Sequence, residues 1–345
     1  FAIVASSLVF PGAVTTVSAE AGAAARQKTP ARAAAKPAAK KKAYSSSTAR
    51  ARRANLARAR AAARARELKE LQTPRFRVDE FGREVPDVRA EAAIIYNPET
   101  GEILWENHSK DQRSIASITK VMTALVFLES NTPLSTMVTV ERSDVARAST
   151  TYLRNGFKLP AEDLLNLLLV GSDNAAARAL ARSSNLGYTG FIQRMNEKAR
   201  ELGLESTVYS DPSGLLADNM SSAYDQARLI AYASADERVG AIMRKTSFST
   251  SMGKRVITAN STNHIVRAGD IDVVGGKTGF ISRSGYCLAT LLRLPQSGQQ
   301  VAFVVLGAKS NQSRFWETRH LFNWMATRTK ALLEGDFQQQ EQEQQ

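Results

Sequence analysis

Three short groups of residues carry side chains suited to acyl transfer. Ser117-Ile118-Thr119-Lys120 sets a hydroxyl and an amine three residues apart, which puts both on one face of a helix. A serine hydroxyl is a weak nucleophile until a neighbouring base takes its proton. Lysine serves as that base only when neutral, and burial or a second nearby cation lowers its pKa. Ser172-Asp173-Asn174 comes next, with Ser172 suited to relaying a proton and Asn174 to hydrogen-bonding a substrate amide. Lys277-Thr278-Gly279 follows Gly275-Gly276. There Lys277 supplies the second cation, Thr278 a donor for a terminal carboxylate, and Gly279 room for a substrate backbone. Each group alone also has a plain reading. Ser-x-x-Lys fits a capped helix with a solvated lysine, Ser-Asp-Asn fits an N-cap, and Gly276-Lys277-Thr278 fits the end of a phosphate loop. The phosphate loop is excluded, because it wants glycine where Ile271 stands and a helix where a turn and strand are expected.

The elements around these groups follow from apolar periodicity. Ala92–Tyr96 and Glu102–Trp105 flank Asn97-Pro98-Glu99-Thr100-Gly101 and form a hairpin. Ser117–Leu128 is apolar on nearly every side, so this helix is buried in the domain centre. Leu159–Val170 and Asn174–Arg182 are helices interrupted at Gly171-Ser172-Asp173, a break that turns side chains into a cleft. Phe191–Leu202 and Ala223–Ser234 are amphipathic helices. The last third turns to strands: Arg244–Met252 with Lys254–Thr258, then Asp272–Lys277, Tyr286–Leu294 and Val301–Gly307, before a closing helix over Phe315–Thr327. Lys277-Thr278-Gly279 falls at a strand end in this reading. Helices bunched between strands give an α+β fold, an antiparallel sheet flanked by helices with an inserted, mainly helical region. The N-terminal hairpin is expected to join the C-terminal strands.

Composition narrows the partners. The 345 residues are 43% hydrophobic and carry a net charge of +13, enough apolar content for a globular core. The charge is uneven. Residues 20–72 hold 15 Lys/Arg and 3 Asp/Glu, whereas residues 73–345 hold 31 and 30. A nearly neutral domain therefore carries a separate basic arm, and nothing in the domain asks for nucleic acid. The arm is Ala/Lys/Arg-rich, largely disordered or part helical, with high helix propensity from Thr48 to Gln72. It reads either as a solvated spacer or as attachment to an anionic envelope surface. Residues 1–19 are uncharged and apolar, ending in Val17-Ser18-Ala19, and read as the remnant of a cleaved secretory signal. An exported protein of the periplasm or cell envelope is expected. Residues 331–345 form a Gln-rich tail expected to be disordered. Cys287 is the sole cysteine, a core thiol with no partner for a disulfide, and His108, His264 and His320 lie far apart. No metal site or cofactor is expected.

In this order and context, Ser-x-x-Lys, Ser-Asp-Asn and Lys-Thr-Gly are the set shared by the penicillin-recognising serine enzymes. Residues 85–330 resemble the low-mass penicillin-binding D-alanyl-D-alanine peptidases. The segment Ile115–Ala124 is similar to that family's nucleophile segment, and Asp211-Pro212-Ser213-Gly214-Leu215 to another of its signatures. Thr262-Asn263-His264 with Lys277-Thr278-Gly279-Phe280 most resembles the short endopeptidase branch, the penicillin-binding protein 7 type. The resemblance implies a β-lactamase/transpeptidase-like fold, peptidoglycan stem peptides and cross-links as substrates, and β-lactam antibiotics as inhibitors. It implies catalytic roles for Ser117 as the acylated nucleophile, Lys120 as its base and Ser172 as proton relay. It implies substrate binding by Asn174, Lys277, Thr278, Gly279 and Phe280, with the N–H groups of Ser117 and Phe280 as the oxyanion hole. Lys309 is a further candidate for binding a carboxylate. The larger carboxypeptidases add a β-rich domain and an amphipathic anchor after the catalytic domain; the short stretch following residue 330 favours the endopeptidase.

Two other functions compete. A class A-like serine β-lactamase shares the motifs but needs a deacylating Glu in Glu-x-x-Leu-Asn between the second and third, and Glu197, Glu201, Glu205 and Glu237 do not fit. A non-catalytic envelope-binding protein would use the arm and leave the motifs vestigial, which the intact Ser117, Lys120, Ser172 and Lys277 oppose.

Overall fold

The computed structural model describes residues 46–253 and 255–343. The expected leader over 1–19 and the first part of the arm, 20–45, lie outside the described residues. The chain divides into two units between residues 59 and 60. The second half of the arm is helix α1 (Ser46–Gln72), as its Ala, Arg, Leu and Glu content favours. Among the described residues no helix is long and apolar enough to cross a membrane.

The second unit is built on one antiparallel sheet. Its strands are β1 (Ala92–Tyr96), β2 (Ile103–Asn107), β3 (Val273–Ile281), β4 (Gly285–Arg293) and β5 (Gln300–Ala308), in spatial order β3-β4-β5-β1-β2. The N-terminal hairpin does join the C-terminal strands, through pairs such as Val304 with Ile94. Side chains of a strand alternate between faces. Ala302, Val304 and Leu306 of β5 enter one core together with Ala92 and Ile94 of β1, whereas Val301, Phe303 and Val305 enter a second core with Ala93 and Ile95. Both faces are covered, which is why the sequence Val301–Leu306 is apolar without alternation.

The first core is made by α2 (Lys120–Glu129), α3 (Ala161–Val170), α4 (Asn174–Ser183), α5 (Gly187–Glu201), α6 (Ala223–Ala235) and α7 (Glu237–Met243). Helix α6 lies on the sheet, and α2 is surrounded by α3, α4, α5 and α6. The second core is closed by α8 (Ser313–Glu343), which sets Phe315, Leu321, Phe322 and Met325 against the opposite sheet face. Glu317 of α8 accepts the Ala90 N–H at 2.9 Å and so ties the helix to the start of β1.

Several elements differ from the sequence reading. The nucleophile segment opens as a 3-10 turn, Ala116–Thr119, before α2 begins at Lys120, because Ala116 adopts φ +47°. Leu159-Pro160 ends a short strand, so α3 starts two residues later than its apolar pattern. Lys277-Thr278-Gly279 lies inside β3, not at its end; Phe280 and Ile281 continue the ladder opposite Tyr286 and Gly285, and the turn follows at 282–284. Helix α8 runs through residues 331–343, where the Gln-rich composition suggested disorder; Gln and Glu are good helix formers that extend a helix already anchored by packing.

If Phe303, fully buried and edge-on to Phe322, anchors the second core, Phe303→Ala should cost about 3–5 kcal/mol in a urea unfolding titration. A loss below about 1 kcal/mol would show that this face is not the core.

Candidate active site

The nucleophile turn is held from three sides. The Ile115 N–H donates to the Asn219 carbonyl at 3.1 Å, and that of Ile118 to the Ile115 carbonyl at 3.3 Å. Ala116 pays for its left-handed backbone with contacts to two glycines. A Cβ on Gly214 would stand 2.0 Å from the Ala116 carbonyl oxygen, and Gly214 itself has φ +77°. A Cβ on Gly279 would meet the Ile115 carbonyl oxygen at 2.5 Å and the Ser117 nitrogen at 3.2 Å. Only glycine fits at either place. The loop carrying Gly214 is organised by the buried Asp211 carboxylate, which accepts from the Ser213 N–H and hydroxyl (2.6 Å each), the Gly214 N–H (2.8 Å), the Leu216 N–H (2.7 Å) and the Asn219 amide (2.9 Å). Burial pulls the Asp211 pKa upward, but the donors from Ser213, Leu216 and Asn219 outweigh it and leave it lowered.

Two lysine amines lie behind Ser117. Lys120, at the first position of α2, is 0% exposed. Its Nζ lies 2.8 Å from Ser117 Oγ and 2.6 Å from Asn174 Oδ1, and it also donates to the Ser213 carbonyl. Burial lowers its pKa to about 7; Asp211 and Asp173 oppose the drop and Arg178 adds to it. Lys277 of β3 is 1% exposed. Its Nζ lies 2.9 Å from Ser172 Oγ and 3.0 Å from the Thr278 carbonyl. Burial, and then the Lys120 and Arg314 charges, hold its pKa well below the ordinary lysine value. The plain reading of a solvated lysine on a capped helix is therefore overturned: neither amine reaches bulk water.

The break between α3 and α4 delivers Ser172 and Asn174. Ser172 has φ +58°, which points it off both helix axes. Asp173 caps α4 through the Ala176 N–H at 2.9 Å and also accepts from the Tyr152 N–H at 2.6 Å and the Thr151 hydroxyl at 3.0 Å. It thus serves as the expected N-cap and additionally pins the 149–152 loop at the cleft rim. Asn174 was expected to face a substrate amide. Its oxygen instead meets Lys120, and its amide donates to the Ala148 carbonyl at 2.6 Å.

The front of the site is an open cleft of about 400 Å³ lined by Ser117, Ser172, Asn174, Thr278, Gly279 and Phe280 among others. The structure thus brings eight of the nine sequence-derived candidates to one place: six line the cleft, and Lys120 and Lys277 stand behind it. Lys309 does not join them; it pairs with Glu91 at 2.8 Å. The cation at the cleft is Arg314, near the start of α8, which sequence reasoning missed. Its guanidinium donates to the Gly279 carbonyl at 2.9 Å and the Cys287 carbonyl at 3.2 Å, and burial lowers its pKa to about 10. Nothing in the local sequence Ser310–Trp316 separates it from an ordinary helix-start arginine. Thr262 was also under-read: its hydroxyl lies 2.6 Å from that of Thr278 and lines the same cleft. Asn263 caps a short helix through the Ile265 N–H. His264 stacks on the Phe315 ring at 4.6 Å.

The arrangement supplies a hydroxyl with an adjacent amine of lowered pKa, a second hydroxyl with a second such amine, and a strand alongside for an extended peptide. Comparison with known proteins agrees with that chemistry. A family model described as D-alanyl-D-alanine carboxypeptidase matches residues 79–310. The D-alanyl-D-alanine endopeptidase of Escherichia coli K12 is 31% identical over 246 residues, 70% of this chain and 79% of that protein. The Haemophilus influenzae protein of the same name is 35% identical over 202 residues, 58% of this chain and 69% of its own. The crystal structure of the Streptomyces K15 DD-transpeptidase superposes with a TM-score of 0.64 at 26% identity, covering 69% of this chain and 97% of that one. The Ser–Lys constellation thus sits in the fold these relatives share, and the chain belongs to the D-alanyl-D-alanine carboxypeptidase family, as a serine-type D-Ala-D-Ala peptidase.

Proposed function

We propose that the protein is a peptidoglycan endopeptidase that opens D-Ala-linked cross-links through an acyl-enzyme on Ser117. The observation that carries this reading is the 2.8 Å approach of Lys120 Nζ to Ser117 Oγ in a site whose burial brings the amine to about pH 7. A neutral Lys120 takes the Ser117 proton as Oγ attacks the D-Ala carbonyl carbon. The oxyanion is received by the N–H groups of Ser117 and Phe280, each worth about 100-fold or more in rate. Collapse breaks the C–N bond; Ser172, backed by Lys277, passes a proton to the leaving amine and takes in its place the proton that Lys120 drew from Ser117. Water then gives a proton to the freed Lys120 amine as it attacks the ester carbon, and that proton goes to Ser117 Oγ when the C–O bond breaks, releasing the peptide acid and restoring Ser117. Thr278 and Arg314 receive the carboxylate side of the substrate, and Asn174 keeps Lys120 aimed at Ser117 while it lines the cleft. The reaction belongs outside the cytoplasm, where the leader at 1–19 would send the chain and where cross-links exist.

The endopeptidase assignment draws on the relatives of that name and on Thr262-Asn263-His264. The leaving group in a cross-link is the D-centre amine of a diaminopimelate rather than free D-Ala, so the cleft must admit a second peptide beyond Ser172. Its open mouth supports this. A β-lactam enters the same sequence of steps but leaves an ester whose ring-opened amine stays tethered, and without a deacylating glutamate the adduct should persist.

A fluorescent penicillin should label the native chain and not Ser117→Ala. Protonated Lys120 cannot accept a proton, so the labelling rate should fall about tenfold per pH unit well below 7 and level off above about 8. No label on the native chain, a flat profile from pH 5 to 8, or rapid nitrocefin turnover would each count against the mechanism.

Purified cross-linked muropeptide dimers, incubated with the native chain and read by mass spectrometry, should be converted to monomers with no free D-Ala released. Release of D-Ala from pentapeptides with dimers left intact would assign the chain to carboxypeptidase work instead.

A further inference from the structure

The arginines of α1 take no part in acyl transfer. Arg50, Arg52, Arg53, Arg58, Arg60, Arg64 and Arg66 lie in the helix with no Asp or Glu between Ser46 and Arg66, and all seven are exposed. Six of them form three Arg-Ala-Arg triplets, at 50–52, 58–60 and 64–66. At 3.6 residues per turn, the two arginines of each triplet stand roughly 160° apart around the axis. Charge therefore surrounds the helix and does not gather on one face. The residues between are alanines apart from Asn55 and Leu56, so no apolar stripe exists to sink into a bilayer or to pack on a partner helix.

That distribution selects among anionic partners. A planar membrane meets only the arginines on its own side and finds almost nothing apolar to take up. A mesh of strands reaches the helix from every direction. Arg50 to Arg66 spans about 24 Å of axis, roughly one positive charge every 4 Å. A guanidinium fork binds a carboxylate through two parallel hydrogen bonds, which an ammonium cannot do. The stem peptides of peptidoglycan present carboxylates repeatedly along a network.

We propose that α1 is a docking element for the peptidoglycan mesh itself, bound through stem-peptide carboxylates. This rests on the reading of peptidoglycan as the substrate. The helix is joined to the peptidase unit in one chain, so docking raises the local concentration of cross-links around the active site. It acts on insoluble polymer and not on small soluble peptides.

Binding separates from catalysis in a co-sedimentation experiment with purified sacculi and the full chain carrying Ser117→Ala, which cannot cleave. The comparison is the same chain with all seven arginines changed to Gln, a substitution that keeps helix propensity and leaves the Lys and Arg residues of 20–45 in place. The native arm should sediment with sacculi at 50 mM NaCl and release at 0.5 M. The Gln chain should bind at least tenfold more weakly, and penicillin labelling of a Gln chain with Ser117 intact should be unchanged. Equal sedimentation of the two arms, or tighter binding of the native arm to phosphatidylglycerol vesicles than to sacculi, would overturn the proposal. Loss of penicillin labelling in the native chain would count against the peptidase mechanism alone, since sedimentation reads docking without it.

Discussion

Two lysine amines buried behind one cleft set the terms for everything around them. An isolated ammonium in a protein interior costs several kcal/mol or more, and the usual escape is loss of the proton. Lys120 and Lys277 are each shut off from solvent, and each has a lowered pKa for that reason first. The fold does not cancel their charges with a contacting carboxylate. It gives them hydroxyls and carbonyls: Ser117, Asn174 and the Ser213 carbonyl for one, Ser172 and the Thr278 carbonyl for the other. Neutral acceptors satisfy the N–H groups without restoring the pKa, which keeps the amine available as a base. Asp211 and Asp173 stand further off and moderate the shift. They spend their oxygens on backbone and hydroxyl donors, so their main work is to shape loops.

The surrounding architecture can be traced from that cleft. Helix α2, which starts at Lys120, is apolar on nearly every side because it runs through the first core. Strand β3 must pass close enough to the nucleophile turn for Lys277 to reach Ser172, and Gly279 permits the approach. Gly214 does the same from the other side, with Asp211 fixing its loop. The sheet behind β3 is covered on both faces, so the strand has a rigid backing. Arg314, donating to the carbonyls of Gly279 and Cys287, ties α8 to β3 and β4 and brings a cation to the cleft without adding one behind Ser117.

Much of this was legible in the residues, and the boundary of legibility has physical causes. Central strands and buried helices showed through because two-sided burial leaves long apolar runs, as in Val301–Leu306 and Val121–Phe127. The Ser-x-x-Lys pair showed through because one helical turn fixes its geometry. The 3-10 opening of the nucleophile segment was not visible, since Ala116 has no intrinsic wish for φ +47° and is held there by contacts from Gly214 and Gly279, far along the chain. Asn174 lines the cleft as expected of a substrate ligand, but its contact with Lys120 was not legible in the sequence. Lys309 and Arg314 are both cations after β5, and only tertiary structure tells that the first pairs with Glu91 and the second lines the cleft. The closing helix runs past its apolar pattern, to Glu343.

The protonation state of Lys120 is the quantity on which the mechanism stands, and it can be read without any turnover. Lysine side chains labelled with 13C at Cε titrate with a chemical-shift change, and Lys120→Arg in a parallel sample assigns the signal. The structure predicts a midpoint for Lys120 near 7, over three units below an exposed lysine. A midpoint near 10 would mean that the amine is protonated at working pH and cannot accept the proton of Ser117.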